Sequence, residues 1–445
     1  MTTDMTKGSP MRLLVNFAIP LMIGNIFQQL YNFIDTIVVG RFISADALAA
    51  VGTTGNIISI MNSLMMGLSV GAGIVVAQYF GIRNMEKLKQ AMVALADLIL
   101  VLTIVMSLLG FILGPVVLRI LQVPDKLMGD SLTYLRICCL GLVGMTIYNG
   151  AASILRSIGD SRTPLLAMVV SSIVNVVCNL LFVLVFSLGV AGVAYGTIIA
   201  QTVSALICMV RMHLSCRSLG IEHLDMKFNW DMIHIIVKAG IPSAIQGMLI
   251  SLGGMSVQGL VNTFGAATMS AYAAVQRVDS VTIQVVVAIG SALSVFTGQN
   301  IGNRDYDRIR EALHKTLILM MVCCFCLAIL VLGFRSQILS IFLDPEEASE
   351  SIRIGSVYLT VIGIAYMIAG IMNSYLNLIR GAGDVNASLL AGVAEITGRI
   401  IFAYLLVIPF GVTGIWLATP LSWGCGCLYS VVRYYSGNWK RQCLI

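Results

Sequence analysis

Ionisable side chains away from the ends of the long apolar stretches of this chain are rare, and the candidates for chemistry are Asp35, Asp97, Arg136, Arg277, Asp279, Glu395 and Arg399. A charge within a bilayer is costly, so each needs a partner, a route to water or a task. Arg136 stands near one end of its stretch, where its long stem lets the guanidinium reach the headgroups. Asp97 is about two helical turns from the end of its own stretch. It reads equally as an interfacial residue and as a functional one.

Asp35 belongs to a polar stripe, Asn25, Gln28, Asn32 and Asp35, spaced by three, four and three. That spacing places all four on one face of a helix. Nothing basic stands at comparable depth in the first half. The fifth apolar stretch offers a matching stripe of Ser172, Asn175 and Asn179, and the sixth offers Thr197 and Gln201. A carboxyl among amides and hydroxyls avoids a naked buried charge by taking up a proton or by binding a cation through those oxygens. Either makes Asp35 a coupling site.

The second half balances its own charges. Glu395 and Arg399 lie four apart with the acid first, the favourable order for a helical pair. Arg277 and Asp279 are two apart and cannot face each other on a helix, but each can reach the other pair across the bundle. The four sum to zero. A structural ion cluster and a substrate-contacting one both fit that pattern.

The elements that position these residues follow from composition. The chain is 58% hydrophobic and 11% charged, against about 25% charged in a soluble domain. Apolar runs of about 20 residues, enough to cross a bilayer core, recur twelve times. They cover about 13–38, 48–77, 91–114, 131–155, 164–187, 190–212, 233–262, 270–297, 313–334, 354–379, 387–409 and 412–434. Lipid gives the backbone no hydrogen bonds, and the alternation of a barrel strand is missing, so the spans are helices. The expected fold is an all-α membrane protein.

The chain also repeats itself. Gln78 to Asn84 returns as Gln299 to Asp305, and Leu155 to Asp160 as Ile379 to Asp384. Ala18-Ile19-Pro20 pairs with Gly240-Ile241-Pro242, and Gly189 to Gly192 with Gly411 to Gly414. The offsets of 221, 224, 222 and 222 residues define one register. Two homologous six-span halves are expected, 1–212 and 233–445, joined by a polar cytoplasmic linker, 213–232. Repeats of this kind mark secondary transporters, whose binding site lies between the halves at mid-membrane. Pro20 and Pro242, at equivalent places, free a backbone carbonyl and kink their helices.

The chain has 27 Lys and Arg; Arg136, Arg277 and Arg399 are set aside as span residues, and those in the end turns of spans are counted with the adjoining loops. One set of loops holds Arg41, Arg119, Lys126, Arg335 and Arg353, and the other set holds the remaining nineteen. The positive-inside rule therefore places both termini in the cytoplasm, and the net charge of +6 follows membrane topology, not nucleic acid. The first apolar run is too long for a cleavable signal peptide and lacks a small-residue cleavage site. Nine of the eleven cysteines lie inside spans. Cys323-Cys324-Phe325-Cys326 has no His or carboxylate beside it, so small buried hydrophobes are expected and no metal. The 24 methionines provide adaptable apolar walls.

At Gln28 to Gly40 the sequence reads Gln-x-Leu-Tyr-x-x-x-Asp-Thr-x-x-Val-Gly. With the repeated Gln-x-x-Gly end of the second span and the repeated Arg-x-x-Gly-Asp end of the fourth, it resembles the multidrug and toxic compound extrusion (MATE) family of cation-coupled antiporters. The resemblance covers nearly the whole chain. It implies a V-shaped pair of lobes with alternating access, and export of amphipathic, often cationic compounds against inward H⁺ or Na⁺. It implies that Asp35 is the coupling residue, with Asn175, Asn179 and Thr197 completing the cation site. Substrate contacts are assigned to Gln28, Tyr31, Asn32, Gln201, Gln246, Asp279, Glu395 and Arg399. No cofactor beyond the coupling ion, a monomer and a bacterial plasma membrane are expected.

Two departures matter. Position 179 is Asn where many relatives have Asp, which removes a charge from the site and favours protons. The seventh-span Glu and tenth-span Asp of one branch are missing; Ile250 and Ser251 occupy the seventh-span region. The competing readings are a lipid-linked precursor flippase, a membrane enzyme and a channel. Extra spans with a basic cavity, a catalytic cluster or a filter motif would mark them, and the sequence shows none of these.

Overall fold

The computed structural model describes residues 3–221, 228–343 and 348–445. Twelve long helices carry the apolar runs: Pro10–Phe42, Ala45–Gly81, Met85–Ile120, Asp125–Ser157, Arg162–Leu180, Gly189–Ser218, Trp230–Asn262, Ala266–Ile301, Tyr306–Gly333, Ser349–Gly381, Val385–Phe410 and Val412–Tyr435. They are called the first to twelfth spans below. No strand occurs among the described residues. All twelve are long and apolar enough to cross a membrane. Most run several residues past their apolar core, because capped polar turns extend a helix into the headgroup region. The 33 residues of the first span reach roughly 50 Å at 1.5 Å per residue, well beyond the hydrocarbon core.

The repeated motifs are turns. After the second span Arg83 takes a positive φ of 57°, and after the eighth Arg304 takes 56°. The next residue caps the following helix in each case. Asn84 accepts from the Lys87 N–H and Asp305 from the Arg308 N–H, which satisfies one of the free amides that open a helix. After the fourth and tenth spans Gly159 and Gly383 take φ of 86° and 98°, a region closed to most side chains. The aspartates that follow are buried, and each pairs with an arginine near the end of its sixth helix. Arg211 reaches Asp160 at 3.4 Å and Arg433 reaches Asp384 at 2.7 Å. The sequence showed the aspartates repeating but not their partners.

The chain forms two compact units. One is Ile23–Ala244 with the described residues before Met5; the other is Met5–Met22 with Ile245–Ile445. These bounds differ from the homologous halves expected at 1–212 and 233–445. The first and seventh spans each change unit two residues past Pro20 and Pro242. Within the expected linker the sixth span continues to Ser218 and the seventh begins at Trp230; residues 222–227 lie outside the described residues.

In the first unit the fourth span packs against the second, third and sixth. Small residues allow the close approach that membrane helices rely on. Ser153 and Ser157 donate across to the Ser69 and Gly73 carbonyls at 2.6 and 2.7 Å. In the second unit the tenth span takes the same place among the eighth, ninth and twelfth. A buried aromatic stack of Tyr272, Tyr358 and Trp416 anchors it, with Tyr358 and Trp416 centroids 4.2 Å apart.

Candidate functional site

In the first unit the coupling candidates meet around Asp35. Asn179 on the fifth span donates through Nδ2 to Asp35 Oδ1 at 2.5 Å and to Asn175 Oδ1 at 3.1 Å. Tyr31, one turn before Asp35 on the first span, hydrogen-bonds the carboxyl and also donates to Thr197 Oγ1 at 3.5 Å. Four side chains from three helices thus surround one acid. Two residues after Asn179 the fifth span widens into a π-helical turn, Leu181–Val185, a feature that often re-aims helices at functional sites.

Asp35 is half-buried, and among the described residues no lysine, arginine or histidine reaches its carboxyl. Asn175 and Asn179 are fully buried, yet among the described residues Asn175 Nδ2 and Asn179 Oδ1 have no hydrogen-bond partner. A buried polar atom left without any partner costs about 1–3 kcal/mol, so these two atoms are free to meet a proton-bearing or ionic guest. Tyr134 and Cys138 of the fourth span, hydrogen-bonded to each other, stand beside Tyr31. The sequence did not point to them, because nothing in the fourth span's apolar pattern sets them apart.

The rest of the first-span stripe is more open. Gln28 and Asn32 are exposed and Asn25 is half-buried; Asn32 donates to Gln29 at 3.4 Å. Gln201 on the sixth span is half-buried, and its Oε1 is buried without a hydrogen-bond partner among the described residues.

Gly196 sets the position of Asn179. A Cβ at Gly196 would stand 2.0 Å from Asn179 Oδ1. Alanine within a helix otherwise gains about 0.8–1.0 kcal/mol over glycine, so the contact decides the sign. Gly196→Ala is expected to displace the amide and lower ion-driven transport about ten-fold, near 1.4 kcal/mol. Initial rates in proteoliposomes check this, and a wild-type rate would detach Asn179 from the site.

The second unit gathers three of its four expected charges. Arg399 bonds Glu395 at 3.0 Å and donates to Ser422 Oγ at 3.5 Å. Tyr366 donates to Asp279 at 3.1 Å, and Trp423 hydrogen-bonds Glu395. The Arg399 charge acts on Asp279 as well. Arg277 is exposed, on the side of the helix away from Asp279. Gln246 is buried, but its Oε1 accepts from Arg380 Nη2 at 2.7 Å. Its carbonyl is therefore engaged at Arg380 and not at the Asp279–Glu395–Arg399 cluster. Among the described residues no group of three His, Cys, Asp or Glu could hold a metal ion.

Twelve apolar helices in two repeats, each with ionisable side chains gathered inside, define a membrane transporter. The MatE family model matches residues 20–181 and 242–405, so each repeat carries one copy of the family's domain. The chain belongs to the MatE family. It is 29% identical to the probable multidrug resistance protein YpnP of Bacillus subtilis over 98% of this chain and 97% of that one. To the probable multidrug resistance protein YoeA of the same organism it is 27% identical, over 99% and 96%. A crystal structure of a MATE protein in complex with MaL6 has the same fold, with a TM-score of 0.92 at 21% identity, covering 100% of this chain and 99% of that one.

Proposed function

We propose that the protein is an antiporter that exports amphipathic, cationic solutes from a bacterial cytoplasm by alternating access, in exchange for protons. The observation that carries this reading is the Asp35 carboxyl, inside the membrane, hydrogen-bonded by Tyr31 and Asn179 and met by no basic side chain among the described residues. Such an acid changes charge only by binding a cation. Asn179 turns its amide nitrogen to the carboxyl, not its oxygen. A site with one carboxylate attracts Na⁺ less strongly than a site with two, which favours H⁺ over Na⁺.

Asn175, Asn179 and Thr197 position the acid, and Gln28, Tyr31, Asn32 and Gln201 offer polar contacts to the solute. In the second unit Asp279 and Glu395 outnumber Arg399, which suits a positively charged ligand beside aromatic walls. The names of the two Bacillus relatives support drug export. The charge asymmetry of the loops supports cytoplasmic termini in the plasma membrane, and a monomer contains every residue the reading uses.

The test is transport of a cationic dye into vesicles with pH and Na⁺ gradients imposed separately. A pH gradient alone should drive it, and failure under both gradients would sink the proposal. Asn179→Asp adds a second carboxylate beside Asp35 and is expected to make transport Na⁺-dependent. A proton-only profile in that variant would count against the ion site being here.

A further inference from the structure

We propose that the groove between the fifth and sixth spans is a seat for one anionic phospholipid of the adjacent leaflet, its acyl chain on the apolar wall and its phosphate at Arg162. The groove, of about 700 Å³, is lined by Leu166, Leu206, Ile207, Val210 and Leu214, with Asp160, Arg162, Thr163 and Arg211 at its head. Leu166 and Val210 are 58% and 61% exposed. In a span these side chains face lipid, and a concave apolar wall holds a chain in one place, which a convex helix surface does not.

The head of the groove selects charge. Asp160 is buried and amply bonded: it accepts from the Arg162 and Thr163 N–H groups, from the Thr163 hydroxyl at 2.8 Å and from Arg211 Nε at 3.4 Å. Arg211 therefore neutralises Asp160, and the opening N–H groups of the fifth span are occupied. The exposed Arg162 guanidinium is left as one surplus positive charge. A zwitterionic headgroup brings its own ammonium to that place, while an anionic one brings only the complement.

The internal repeat shows that the fold does not require this charge. The Asp160–Arg211 pair recurs as Asp384–Arg433, but the residue two after Asp384 is Asn386 where the first unit has Arg162. The ion pair belongs to the repeat, and the arginine is present in one copy only. The motif lies on the face that the loop charges assign to the cytoplasm, where anionic lipids attract basic side chains.

The experiment is native mass spectrometry of the purified protein equilibrated with equimolar phosphatidylglycerol and phosphatidylethanolamine. Wild type should retain one phosphatidylglycerol in preference. Arg162→Gln should lose about five-fold in that preference, as expected for about 1 kcal/mol from one basic side chain at an anionic surface. Val210→Trp, which fills the groove, should reduce retention of both lipids. Asn386→Gln, at the equivalent place in the other repeat, should change nothing. Equal retention of the two lipids by wild type would overturn the proposal. So would an unchanged preference in Arg162→Gln or undiminished retention in Val210→Trp.

Discussion

Asp35→Asn is expected to abolish ion-driven export while the protein still inserts, folds and unfolds at its wild-type temperature. The substitution keeps the shape of the side chain. An asparagine Oδ1 can still accept from Asn179 Nδ2, and its amide can still meet Tyr31, so the packing of the first, fifth and sixth spans survives. What disappears is the ability to exist in two charge states. Transport coupled to an ion gradient requires a group whose affinity for the ion differs between the two access states, and among the described residues of the first unit the cluster has no second acid. Dye efflux in cells or everted vesicles should fall to the level of an empty membrane. Thermal unfolding in detergent should shift little, because a neutral amide in lipid costs less than a carboxylate. Wild-type extrusion by a folded Asp35→Asn protein would remove Asp35 from the mechanism.

The sequence showed the fold at the scale of spans, because lipid permits only a long apolar helix and the charge content leaves no other class. It showed the turn motifs as repeats, but the reason for them is local backbone geometry: the positive φ at Arg83 and Arg304, and at Gly159 and Gly383. It placed Asp35, Asn175 and Asn179 on polar stripes, and the structure brings them together. Three things were not legible. Contacts between distant spans, such as Asp160 with Arg211 or Gln246 with Arg380, depend on how helices rotate about their axes, which an apolar pattern leaves open. The exposed position of Arg277 depends on the same rotation. The division of the first and seventh spans between the compact units depends on which neighbours each stretch of helix meets, which an apolar pattern does not record.

Arg399→Leu should be the most destabilising of the substitutions considered, and it separates the two roles open to the second-unit cluster. Glu395 and Arg399 side chains are only 12% and 21% exposed. Removing one partner of a buried pair leaves an uncompensated charge and costs about 3–5 kcal/mol. Arg399→Leu strands two acids, Glu395 and Asp279, so the upper part of that range is expected. The variant should unfold in detergent at a clearly lower temperature or denaturant concentration. Glu395→Leu added to Arg399→Leu removes one stranded acid and should recover more than half of the loss, since apolar replacement of a buried pair is often neutral. Asp279 keeps its hydrogen bond from Tyr366 in both variants. If the pair serves only the fold, transport returns along with stability in the double variant. The double variant keeps the cluster's net charge, so a direct contact between Glu395 and the solute gives the other result: stability returns, while export of a cationic dye stays well below wild type and export of a neutral solute recovers. Recovery of both activities to wild type would make the Glu395–Arg399 pair a strut and leave Asp279 alone to meet the solute.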